Sequence, residues 1–231
     1  MVVNKNTPLK RERVGVFIDG SNFYFALKRN NYPTRVDYYE LSKALAGPDR
    51  ELVRTYYYNS AYDPVIATEQ SKTQQSFFDS LRKTPYLDLR LGRLVSGADG
   101  NFKPKGEKTI FSADLVYFAA RGLFDTAIVV TEDSEYSPVL NAVKELGKAV
   151  EIGFFKDSQP SELLKASDRI LPLFEVLDKF KSKIFPSVTE TEPGPEDNIG
   201  NQVYVKRAPI AHARAEVTKT KKFFEKLLKN K

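Results

Sequence analysis

Three acids stand where a folded chain could bring them together. Asp19 ends the short β-branched run Val14-Gly15-Val16-Phe17-Ile18, and Asp133 follows shortly after Ala127-Ile128-Val129-Val130. The third, Asp114, lies in Ile110 to Phe118 among the apolar residues Ile110, Phe111, Leu115 and Phe118. Ligands of open parallel sheets collect at the carboxyl ends of the strands, so neighbouring strands would set Asp19 and Asp133 in one crevice. The helix that starts after each strand adds backbone N–H groups that favour anions. Carboxylates crowded there raise one another's pKa unless a cation lies between them, and Mg²⁺ or Mn²⁺ is the hard ion that matches oxygen donors. Such an ion could activate a water and screen a phosphodiester. Each acid also has an ordinary reading. Asp19-Gly20 suits a turn, Asp133-Ser134 suits a helix cap with Glu135 in the first turn, and Asp114 suits a solvent-facing helix position.

Composition narrows the chemistry. The 231 residues contain no Cys and a single His, His212, which excludes disulfides, thiolate metal sites, cysteine nucleophiles and multi-histidine centres. At 41% hydrophobic and 29% charged residues, the chain can build a core. No stretch approaches ~20 uninterrupted apolar residues, so no membrane span is expected. The polar start Met-Val-Val-Asn-Lys-Asn-Thr-Pro carries no apolar leader, which makes the expected compartment cytoplasmic. The excess positive charge is concentrated at one end. Residues 203–231 hold nine Lys/Arg against Glu216 and Glu225, whereas 186–202 hold four acids and no base. We therefore expect a domain over 11–185, an acidic Pro/Gly-rich linker over 186–202 and a basic, partly helical tail over 203–231. Phe223, Phe224, Leu227 and Leu228 give the tail a short apolar stripe, suited first to packing on the domain, next to a nucleic-acid arm and last to a membrane surface.

Strand and helix signals alternate through the domain. Strands are expected at Val14–Ile18, Leu52–Tyr58, Leu87–Val95, Ala127–Val130 and Ala149–Phe155. Helices are expected from Ser21 as cap to Leu27, and over Asp37–Ala46, Pro64–Arg82, Ile110–Arg121, Glu135–Leu146, Ser161–Ala166 and Leu173–Lys183. The alternation predicts an α/β fold with a mainly parallel, helix-covered sheet.

Three stretches together resemble the NYN domain family, the LabA-like branch of the PIN-like nucleases: Val16 to Tyr24, Ser112-Ala113-Asp114-Leu115, and Val130 to Leu140. The resemblance covers about residues 13 to 155 and extends to a strand near Ile170. It implies a PIN-like Rossmannoid three-layer sandwich with sheet order 3-2-1-4-5 at its core, which would place the strands ending at Asp19 and Asp133 side by side. It also implies a metal-dependent endoribonuclease using Mg²⁺ or Mn²⁺. Carried over, Asp19, Asp114 and Asp133 are metal-binding acids, with Glu135 in a supporting position, and Asn22 orients substrate or water. Ser21 and Ser134 lie beside the substrate. The family's Lys-Gly-Val-Asp run is replaced here by Lys105-Gly106-Glu107-Lys108, so Lys108 stands where an acid is expected and Glu107 is its neighbour. Lys108 would then either oppose a metal ion or contact the substrate phosphate.

RNA, single-stranded or looped, is the partner this resemblance implies. Tyr56, Tyr57, Tyr58 and Tyr62 could stack unpaired bases or fill the core. Lys103, Lys105, Lys108, Arg90 and Arg93 could line a phosphate track or form a solvated loop. A protein that binds RNA without cleaving it is the rival reading, and a homodimer stays open. No phosphate loop of the G-x-x-x-x-G-K kind occurs, against ordinary nucleotide binding.

Overall fold

A computed structural model describes residues 11–65, 68–97, 101–155 and 161–186. The expected tail, and the linker beyond Pro186, lie outside the described residues. β1 (Arg13–Asp19) and β5 (Thr126–Val130) are apolar and buried on both faces, the pattern of strands in the middle of a parallel sheet. They pair with each other in parallel, Val14 opposite Thr126 through Ile18 opposite Val130. β2 (Glu51–Ala61) pairs with the other side of β1, Asp19 lying opposite Tyr58, and β3 (Leu87–Ser96) follows β2. Beyond β5 come β6 (Ala149–Phe154) and β7 (Arg169–Pro172), both parallel. With β4 (Phe102–Lys105), the order is β4-β3-β2-β1-β5-β6-β7. The implied 3-2-1-4-5 core is present, with one antiparallel edge strand added next to β3.

That edge strand, β4 (Phe102–Lys105), is absent from the sequence expectations. Its four residues, Phe-Lys-Pro-Lys, are too few and lack the β-branched residues that mark a strand, and a proline is tolerated at a sheet edge where one side of the ladder stays unpaired.

Two layers of helices cover the sheet. Val14, Val16 and Ile18 project to one face, where they meet α1 (Gly20–Arg29), α2 (Tyr38–Ala46), α3 (Thr68–Arg82), α7 (Leu173–Lys179) and α8 (Lys181–Ile184). Phe17, Val129 and Tyr58 project to the other face. There they meet Phe111, Leu115 and Phe118 of α4 (Glu107–Ala120), Leu140 of α5 (Ser137–Glu145) and Leu163 of α6 (Ser161–Ala166). Phe17 stacks on Tyr56 with ring centroids 4.9 Å apart and meets Phe124 edge-on at 5.4 Å.

Several boundaries differ from the sequence reading; α4 starts at Glu107 rather than Ile110, and β2 extends to Ala61 rather than Tyr58. Asp19, not Ser21, caps α1, because its carboxylate reaches the Asn22 N–H. The helix expected from Glu135 begins as a single 3₁₀ turn, Ser134–Tyr136, and becomes α-helical at Ser137 with Pro138 in its first turn. The helix over Leu173–Lys183 divides at Phe180, whose φ of −112° and ψ of 21° leave the helical region. Among the described residues no helix is long and apolar enough to cross a membrane.

Candidate active site at the switch point of the sheet

The chain leaves β1 toward β2 and only later crosses to β5 on the other side, so the strand order reverses at β1. A crevice therefore opens above the carboxyl ends of β1 and β5. Period-two alternation sends Asp19 to the same face as Phe17, under the start of α4. Asp19 is 3% exposed. Its Oδ1 accepts from the Asn22 N–H at 3.1 Å, and its Oδ2 faces the Thr131 and Tyr136 hydroxyls, each at 3.4 Å.

The second buried acid is Glu107, the first residue of α4. It lies one helical turn before the fully buried Phe111, and Phe111 one turn before Leu115, so all three share the inner stripe of α4. Glu107 Oε2 accepts a hydrogen bond from Ser60 Oγ at 2.7 Å, and Ser60 projects from β2 on this same face. The approach requires glycine at position 92 of β3. A Cβ there would stand 2.7 Å from the Glu107 nitrogen and 2.8 Å from the Lys105 carbonyl oxygen. Gly106, at φ 87°, makes the left-handed turn from β4 into α4.

Burial, followed by the charge of Glu107, pushes Asp19 up to about 7. The Asn22 N–H pulls it down, Asp133 pushes it up again, and Lys108 pulls it down. Burial likewise raises Glu107, against the opposing pull of the Ser60 hydroxyl and Lys108. The Lys108 ammonium lies 2.5 Å from Asp133 Oδ2 and 2.6 Å from Glu135 Oε2. Burial disfavours its charge, but the two carboxylates outweigh that and raise its pKa. Asp133 also caps the 3₁₀ turn, accepting from the Glu135 N–H at 3.0 Å.

The other sequence-derived candidates fall in different places. Asn22 ties the ends of β1 and β5 together, its side-chain oxygen accepting from the Glu132 N–H at 2.9 Å. Ser21 donates to Asn59 Oδ1 at 3.3 Å, and Ser134 opens the 3₁₀ turn behind Asp133. Asp114 lies two turns along α4 from Glu107. Its carboxylate accepts from the Tyr58 hydroxyl at 3.3 Å and faces Arg90 Nε at 3.5 Å. The carboxylates that act on Asp19 are Glu107 and Asp133, so Glu107 takes the place expected of Asp114.

Tyr58 is fully buried, and Tyr56, Tyr57 and Tyr62 are buried with it, so of the two readings open for them the core one holds and base stacking does not. Arg90 lies over the rings of Tyr56 and Phe118 at 5.9 and 5.8 Å rather than in a phosphate track. Arg93 and Lys105 face one another across the β3–β4 ladder, and Lys103 is two residues along on the same side; all three are exposed.

The donors suit a hard divalent cation. All are carboxylate oxygens, and Asp19 stays near 7 even with Lys108 nearby, so the crevice is short of positive charge. Among the described residues, however, no three acidic or imidazole side chains converge as a ready ligand set. Lys108 draws Asp133 and Glu135 about itself, which leaves Asp19 and Glu107 as the pair that would hold an ion.

Comparison with known proteins agrees with this architecture. A crystal structure of a protein of unknown function, VPA0982 from Vibrio parahaemolyticus RIMD 2210633, aligns with a TM-score of 0.54 at 20% identity. The alignment covers 72% of this chain and 95% of that one, a likeness of fold alone. A candidate oxidoreductase from Parabacteroides merdae ATCC 43184 aligns at a TM-score of 0.28 and 11% identity, over 73% of this chain and 30% of that one, and carries no argument. No curated protein matches the chain. The NYN domain model matches residues 13–174, from the first residue of β1 into α7 and across every residue of the carboxylate crevice. This protein belongs to the NYN domain family.

Proposed function

We propose that this chain is a ribonuclease that hydrolyses RNA phosphodiester bonds at the Asp19–Glu107–Asp133 crevice with the help of Mg²⁺ or Mn²⁺. The observation that carries the reading is the pair of buried carboxylates, Asp19 and Glu107, set beside Asp133 at the switch point of a NYN fold. Asp19 and Glu107 would hold the ion. When bound, it would polarise a phosphodiester and lower the pKa of a water. The chain's own groups do the rest. The Asn22 N–H and the Thr131 and Tyr136 hydroxyls fix the directions of the Asp19 oxygens, and Ser60 does the same for Glu107. Arg93, Lys103 and Lys105 form a basic row on the edge ribbon that runs into Glu107, suited to an RNA backbone approaching the crevice. Single-stranded or looped RNA fits that approach, since the sugar–phosphate chain must bend into a crevice at the end of a sheet.

One observation favours a second reading, RNA binding without cleavage: the Lys108 ammonium lies between Asp133 and Glu135, where like charge opposes a metal ion. Labelled RNA incubated with the protein and Mn²⁺ separates the two. The nuclease reading expects cleavage by the wild type and its loss in Asp133→Asn with RNA binding retained. Tight binding by the wild type with no cleavage would establish the second reading instead.

A further inference from the structure

The crevice divides into two halves with different electrostatics. Asp133 and Glu135 share the Lys108 ammonium at 2.5 and 2.6 Å, distances of charge-assisted hydrogen bonds. Asp19 and Glu107 are buried on the other side and accept only from neutral donors among the contacts described above. Lys108 is held in this place by the chain itself. It follows Glu107 on α4, and Gly92 lets the start of that helix approach β3, so the side chain extends across the mouth of the crevice toward the 3₁₀ turn.

We propose that Lys108 is a built-in substitute for a second metal ion, so that the crevice accepts one divalent cation, at Asp19 and Glu107, and not two. An ammonium carries one charge where a divalent ion would carry two, and it forms directional hydrogen bonds in place of coordination bonds. With Lys108 in place, one of the two negative charges of Asp133 and Glu135 is cancelled and both carboxylates are engaged by the ammonium, so they offer less to a free cation. Lys108 thus acts as a positioning residue, orienting Asp133 at the border between the two halves.

This inference rests on the nuclease reading for its purpose but not for its test. Mn²⁺ is titrated into the full chain and followed both by calorimetry and by the electron paramagnetic resonance signal of the free ion. Wild type, Lys108→Ala and Lys108→Arg are compared. We expect one Mn²⁺ per wild-type chain, and an additional ion, or affinity raised by about tenfold or more, in Lys108→Ala. Lys108→Arg should behave as the wild type, because it keeps the charge. Lys108 is 46% exposed, and thermal melts confirm that each variant is folded. Equal stoichiometry and equal affinity in wild type and Lys108→Ala would overturn the inference. RNA cleavage is scored separately: a change in Mn²⁺ binding with no cleavage by any variant leaves the role of Lys108 standing and sinks the nuclease reading.

Discussion

Asp19→Asn should stabilise the metal-free protein, and by more as the pH rises. The carboxyl of Asp19 titrates near 7 in the folded chain, raised first by burial and then by the charge of Glu107, against 3.8 in an open chain. Below pH 3.8 both states hold the proton, and the site does not affect stability. Between 3.8 and about 7 the unfolded chain has lost the proton while the folded chain keeps it, so folding becomes less favourable as pH rises. Above about 7 both are ionised and the loss is complete. At 1.36 kcal/mol per pH unit, the interval amounts to ~4 kcal/mol as an upper bound. Asparagine imitates the protonated form and still accepts from the Asn22 N–H, so it escapes this loss. For a chain of this size ~4 kcal/mol corresponds to a shift of roughly 8–16 °C in melting temperature. Melts of wild type and variant in EDTA at pH 5, 6, 7 and 8 give the test. The difference should widen between pH 5 and 7 and level off by 8. A difference that stays constant over that range would refute the argument that Asp19 is a buried carboxylate short of positive charge.

Two further expectations test the geometry around it. Gly92→Ala places a methyl group against the backbone at Lys105 and Glu107, so the start of α4 must move. Stability should fall by ~1–3 kcal/mol in denaturant melts, and RNA cleavage should fall with it as Glu107 shifts. Asp114→Asn removes one of the two carboxylates beside Arg90, at a partly exposed position, which costs below ~1 kcal/mol, and it leaves the crevice intact. In a cleavage assay Asp114→Asn should retain within about twofold of wild-type kcat/KM, against a loss of about a hundredfold or more for Asp133→Asn. Equal losses in the two variants would return Asp114 to the site.

Much of this protein is legible in its residues. Val14 to Ile18 reads as a strand and Asp37 to Ala46 as a helix closed by Gly47, because patterning and chain-stopping residues are local properties of the chain. The three family stretches anticipate that β1 and β5 are neighbours, and they are. Asp19 and Asp133 as the acids of the crevice follow from the same reading. The β4 strand does not, because a four-residue edge is defined by its pairing with β3 and not by any pattern of its own.

Asp114 and Glu107 show where local reading ends. Both are acids on one helix, seven residues apart and so near the same side of it; position along the axis decides between them, Glu107 standing in the first turn and Asp114 two turns farther on against Tyr58 and Arg90. The spacing Glu107, Phe111, Leu115 carries the signal, since a residue one turn before a buried phenylalanine faces the same way. Tyr58 makes the same point: a tyrosine next to a site is a base platform or a core residue according to what covers it, and here α4 covers it. Residue types and their order determined that this chain would fold as a parallel α/β sheet with acids at two strand ends. Which carboxylates meet, and that a lysine meets two of them, was decided by where the first turn of α4 is set against the sheet and by the close approach at Gly92. Those are relations between segments distant in sequence, set by packing in three dimensions rather than by any local pattern.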